Sequence, residues 1–149
     1  MIVVAIAGCG GGEEGEQAEI PGGADPEEVR VIDEWSSALR EGDVDAAAEY
    51  FKLPSIAQNG TPAVELTTRK DAIAFNRALP CGAELIEAVT DGPFTVATFE
   101  LTERPGAGAC GDGVGETAKT AFLIEDGLIA RWIRAADDPV LEQPSEPVV

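Results

Sequence analysis

The side chains able to do chemistry in this chain exclude more than they allow. There is no histidine among the 149 residues. That removes histidine acid–base catalysis, Ser-His-Asp and Cys-His arrangements, and the common zinc sites. The three cysteines, Cys9, Cys81 and Cys110, form no CxxC pair, so neither a metal nor a cofactor is expected. A carboxylate-based isomerase site would need an oxyanion donor such as a tyrosine. The sole tyrosine, Tyr50, sits beside Phe51 and reads first as a core ring. No catalytic residue is therefore assigned. Trp35 and Trp132, with Tyr50, Phe51, Phe99 and Arg134, are the candidate pocket residues: the two indoles either pack as core or line a cavity.

The stretch "VVAIAGCGGGEEGE" raises two competing chemistries. Gly10-x-Gly12-x-x-Gly15 has the spacing of a phosphate-cradling loop, which must open a helix. Pro21, Gly22 and Gly23 would end any such helix within about two turns. Glu13, Glu14, Glu16 and Glu19 put negative charge where a phosphate would sit. Export fits better: Ile2–Gly8 is an uncharged apolar run ending in small residues. Ile6-Ala7-Gly8-Cys9 resembles the bacterial lipoprotein lipobox. The resemblance implies diacylglyceryl attachment at Cys9, cleavage before it, and a protein held to the extracytoplasmic face of a cell membrane. Residues 1–8 are then the signal segment and 9–24 a flexible tether.

Composition limits the partners. Twenty-eight acidic against 10 basic residues give a net charge of −18. Such a surface repels phosphate backbones and anionic headgroups, so nucleic acid is not a partner and membrane contact is confined to the anchor. The same charge favours an uncharged or cationic ligand. Hydrophobic content of 44% fits one globular domain at 25–136. In an exported protein Cys81 and Cys110 become a disulfide candidate.

The elements that must position these residues are legible from period and punctuation. Asp25-Pro26-Glu27-Glu28 is an N-cap, a proline at N1 and first-turn acids. Val29, Ile32, Trp35 or Ser36, and Leu39 follow at helical spacing, with Gly42 at C′. Asp43 opens a second helix from Val44 to about Phe51, which Pro54 ends. Residues 55–67 read as a loop with an extended piece near Val64–Leu66. A third helix runs from about Thr68 to Leu79. Then the period turns to alternation: strands are expected at 83–90, 94–103, 116–125 and 128–135, with Asp126-Gly127 the strongest hairpin signal. Trp132 alternates with Leu128 and Ala130. Residues 137–149, with three prolines, read as a disordered tail. Antiparallel return of the second strand brings Glu103 beside the start of the first, near Cys81. A Cys81–Cys110 bond would then pin the glycine-rich connection at 104–115.

Helices first and an antiparallel sheet second give an α+β fold. The stretches "VIDEWSSALREGDVDAAAEYF", "TTRKDAIAFNRAL" and "FLIEDGLIARWIRA" resemble the SnoaL-like branch of the nuclear-transport-factor-2-like superfamily. That resemblance implies a curved sheet wrapping the N-terminal helices, a cone-shaped, cystatin-like roll with a pocket at its open end. The superfamily holds cyclases, isomerases and an epoxide hydrolase as well as binding domains, so fold does not settle function. The hydrolase's Asp-Arg-Asp residue types exist here as Asp33, Arg131 and Arg134. Asp33 lies on an exposed-looking helix face, however, and the two arginines point to opposite faces of their strand. Three readings follow: a non-catalytic lipoprotein domain binding a small apolar ligand or a protein, a cyclase or isomerase using carboxylates, and a homodimer through the sheet. Expressed with its leader in a bacterial host, the protein should partition with membranes and detergent, and Cys9→Ser should release it or leave it unprocessed. Mass spectrometry finding an unmodified chain that starts at Met1 would contradict the lipobox reading.

Overall fold

The computed structural model describes residues 20–60, 62–106 and 110–135. The signal segment, Cys9, residues 9–19 of the tether and the tail from 137 lie outside the described residues. The element order is α1 (Pro26–Arg40), α2 (Val44–Ala48), β1 (Phe51–Gln58), β2 (Val64–Leu66), α3 (Arg69–Ala78), β3 (Gly82–Asp91), β4 (Phe94–Thr102), a 3-10 turn at Gly111–Gly113, β5 (Thr117–Glu125) and β6 (Leu128–Ala135).

Each helix begins where its cap dictates. The Asp25 carboxylate accepts from Glu27 N at 2.8 Å and Glu28 N at 3.4 Å. Asp43 accepts from Ala46 N at 3.0 Å. Thr68 and Asp71 form a reciprocal capping box at α3. The Thr67 backbone N–H holds the Asp71 carboxyl below its ordinary value. The box therefore stabilises fully above that ordinary value and is lost as pH falls through the lower folded one. Gly42, at φ +81°, ends α1 in the left-handed C′ conformation that favours glycine.

The sheet has six strands in the order β2-β1-β6-β5-β4-β3. It is not wholly antiparallel: β1 pairs parallel to β6, through Ala57↔Trp132 and Gln58↔Ile133. The expected second helix ends at Ala48; the first residues of the expected loop, 55–58, are the second half of β1, and its extended piece at Val64–Leu66 is β2. Phe51 is thus a strand residue rather than a helix end. Pro54 stops no helix; it lies within β1, in the stretch between Phe51 and Ile56 where the register with β6 shifts and a ladder N–H can be spared.

Three irregularities bend the sheet around α1. In β6, Ile129 pairs with Ile124 and Arg131 with Leu123, leaving Ala130 as the extra residue. The bulge breaks simple alternation, so Trp132 shares the buried face with Ile129, not with Leu128 and Ala130. In β3 the extra residue is Ile86, between Leu85↔Phe99 and Glu87↔Thr98.

The domain starts before the expected boundary at Asp25. Ala88 N donates to Pro21 O at 2.9 Å and Ala24 N to Ala88 O at 3.3 Å, so residues 21–24 cover the free edge of β3. Gly22 is required there: a Cβ would sit 2.0 Å from Ala88 O. Ile20 packs against the core.

Arg104, 7% exposed, closes α3 from outside the helix. Its guanidinium donates to Leu79 O at 2.7 Å, Arg77 O at 2.9 Å and Asn76 O at 3.2 Å. Burial lowers its pKa, and the carbonyl end of the helix dipole offsets that cost. Arg104→Met should cost about 2–3 kcal/mol in urea unfolding, because charged hydrogen bonds are lost and carbonyls are left unpaired. Arg104→Lys should recover part of it; a Met variant as stable as the parent would refute this anchoring role.

Candidate functional site

Several elements converge on one side of the molecule: the C-terminal ends of α1 and α3, the starts of β3 and β5, and the ends of β1, β4 and β6. Between them lies a cavity of about 90 Å³. Its wall is formed by Trp35, Leu39, Leu79, Ala83, Phe99, Leu101, Ala118 and Trp132, with Thr120 and Cys81 also contributing. Asn59, Pro80 and Arg134, all exposed, frame the opening. The strand register brings the wall together: Phe99 pairs with Ala118, and Thr120 with Arg134. Arg134 follows Trp132 by two residues on β6 and so projects from the same face.

The floor is an aromatic cluster centred on Trp35. Its ring meets Phe122 at 5.7 Å, Phe99 at 6.0 Å, Trp132 at 6.2 Å and Phe51 at 6.5 Å, all edge-on. The Trp35 indole N–H donates to Asn76 Oδ1 at 2.8 Å, and Asn76 Nδ2 donates to Ala72 O at 2.8 Å. The Trp132 N–H is buried without a hydrogen-bond partner among the described residues. Leaving such a donor unpaired costs about 1–3 kcal/mol.

Cys81 and Cys110 are disulfide-bonded at a Cα–Cα distance of 4.8 Å, as the antiparallel return of β4 requires. Gly82 pairs with Thr102, and Cys110 N donates to Glu103 Oε1 at 3.2 Å. The bridge ties the connection after β4 to the rim of the cavity.

Of the six expected pocket residues, Trp35, Phe99, Trp132 and Arg134 line this cavity. Tyr50 and Phe51 do not. Because β1 begins at Phe51 and runs parallel to β6, Tyr50 falls at the opposite end, in a surface depression with Arg30, Glu49 and Leu128. Partial burial, and then the nearby Glu34 carboxylate, raise the Tyr50 pKa. Phe51 is core, wedged between Trp35 and Phe75. Asp33 lies on the exposed side of α1, yet local desolvation raises its carboxyl, with Arg40 opposing. Arg131 faces outward beside Pro54 and Glu65, so Asp33, Arg131 and Arg134 form no common site. Asn59, Leu79, Ala118 and Thr120 carry no motif of their own; the strand register and the docking of the end of α3 assemble them.

No family model and no curated protein matches the chain. Solved structures do. A candidate polyketide cyclase from Sinorhizobium meliloti superposes at TM-score 0.54 and 21% identity, over 71% of this chain and 94% of that one. A candidate ketosteroid isomerase from Kribbella flavida gives 0.54 at 15% identity, over 76% and 82%. A nuclear-transport-factor-2-like protein of unknown function from Mesorhizobium loti gives 0.54 at 11%, over 80% and 100%. The fold is nuclear-transport-factor-2-like. The α+β cone expected from the sequence is the architecture these proteins share.

Closing the 29-residue separation between Cys81 and Cys110 should stabilise the domain by roughly 3–4 kcal/mol. The Cys81→Ser, Cys110→Ser variant should lose about that much in denaturant unfolding, and the unreduced, unfolded parent should show no titratable thiol from either position. Two free thiols there would contradict the bridge.

Proposed function

We propose that the domain holds a small apolar ligand in this cavity without turning it over, and that Cys9 lipidation anchors it to the extracytoplasmic face of a bacterial membrane. The observation that carries the ligand reading is the chemistry of the wall. It presents two indoles, a phenyl ring and leucines, and among the described residues no Asp, Glu or Tyr lines it. A proton abstraction needs a base within hydrogen-bond reach of the substrate, and this wall offers none.

The second reading is a cyclase or isomerase, favoured by the names of two similar structures. It would need a carboxylate from elsewhere, such as Asp33, to reach the cavity. Homodimerisation through the outer sheet face is compatible with either reading; Val89, Val96, Ala121 and Ile133 form a partly exposed apolar row there.

The pocket is tested with 1-hexanol. Trp35 and Trp132 are the only tryptophans, so emission should change saturably as the chain fills the cavity. Ala118→Leu, which fills the cavity from β5, should abolish the response while keeping the parent circular dichroism. A response unchanged by Ala118→Leu, or none in the parent, would defeat the binding reading.

A further inference from the structure

We propose that the ligand of this pocket is an aliphatic monocarboxylate, its chain in the cavity and its carboxylate on Arg134; the inference rests on the ligand-binding reading above. The chain has only 10 basic residues against 28 acidic ones, and half of the basic ones are engaged among the described residues. Arg30 holds Glu27 and Glu34, Lys52 holds Glu125 and Asp126, and Arg69 holds Glu49. Arg40 and Arg104 are spent on backbone carbonyls. Lys70, Arg77, Lys119, Arg131 and Arg134 have neither an ion-pair nor a side-chain hydrogen-bond partner among the described residues, and of these five Arg134 is the one that lines the apolar cavity. The wall of that cavity is aromatic and aliphatic, and among the described residues it carries no carboxylate to neutralise the guanidinium. In so acidic a chain, a guanidinium at an apolar mouth with no carboxylate in its wall offers an incoming anion a local partner.

Geometry and size narrow the class. A guanidinium binds a carboxylate through two parallel N–H···O bonds, and Asn59 on the rim can add a further donor. One cation balances a single negative charge, so a phosphate dianion would remain half-compensated within a protein of charge −18. The cavity of about 90 Å³ is smaller than the ~150 Å³ that admits benzene, so it encloses the end of an alkyl chain, the rest lying at the open mouth, and not a fused ring system.

The overall charge by itself favours uncharged or cationic ligands. At physiological salt, however, the Debye length is about 8 Å, so distant carboxylates are screened while a contact on Arg134 is not. The local charge decides.

The test compares hexanoate with 1-hexanol and hexylammonium on the full chain, by tryptophan emission at neutral pH and physiological salt. Hexanoate should bind about tenfold more tightly than 1-hexanol, and hexylammonium more weakly. Arg134→Gln should reduce hexanoate to the 1-hexanol level and leave 1-hexanol unchanged; Arg134→Lys should retain part of the preference. Arg134 is exposed, so these variants should fold, and their thermal unfolding checks it. Equal binding of hexanoate and 1-hexanol by the parent, or hexanoate binding unaffected by Arg134→Gln, would overturn carboxylate recognition and leave the pocket standing. Failure of 1-hexanol itself to saturate would remove the pocket reading, and this inference with it.

Discussion

The Trp35 indole is the joint through which the helices and the sheet hold one another. Its ring is gripped edge-on by residues from β1, β4, β5 and β6, and its N–H reaches across to α3 through Asn76. A buried amide and a buried indole would each be costly alone. Together, with the Ala72 carbonyl as the next acceptor, they satisfy each other and fix where α1 and α3 lie against the sheet. Everything on the open side of the cone takes its position from that joint.

What lies beyond the joint is held from the rim. Arg104 binds the last carbonyls of α3, so Leu79 and Pro80 stand where the cavity needs a wall. The disulfide secures the connection after β4 to the same rim. The bulge at Ala130 then turns Trp132 and Arg134 inward together, one as wall and one as mouth. Packing a ring at the floor and small alanines at 83 and 118 above it leaves space that the sheet's curvature does not close.

Much of this was legible in the sequence, for physical reasons. The caps at Asp25, Asp43 and Thr68 and the Asp126-Gly127 turn act locally, and β4 and β5 alternate clearly, while bulges at Ile86 and Ala130 interrupt β3 and β6. β1 was not legible. "FKLPSIAQ" carries a proline, exposes Leu53 and buries Ser55, and its parallel partner lies far along the chain. Missing it placed Tyr50 and Phe51 near a pocket from which strand direction in fact separates them. Trp35 could be chosen by helical period and Phe99 by strand alternation, whereas Trp132 and Arg134 reach the cavity face through the bulge at Ala130. Asn59, Leu79, Ala118 and Thr120 could not be so chosen, since only the register between distant strands and the Arg104 anchor on α3 make them neighbours. The edge-covering residues 21–24 looked like tether because glycine and proline signal both a linker and a tight approach.

The central claim is that the structure rests on one indole and leaves the other at a cavity wall for a ligand. Nitrogen-15 correlation spectra of the two indole N–H groups, recorded in exchange with deuterium and during titration with 1-hexanol, test it directly. The Trp35 signal should be strongly protected and shift little, while the Trp132 signal should move progressively to a plateau as ligand is added. Two signals that both stay fixed throughout the titration, or a Trp35 N–H that exchanges as freely as an exposed one, would contradict it.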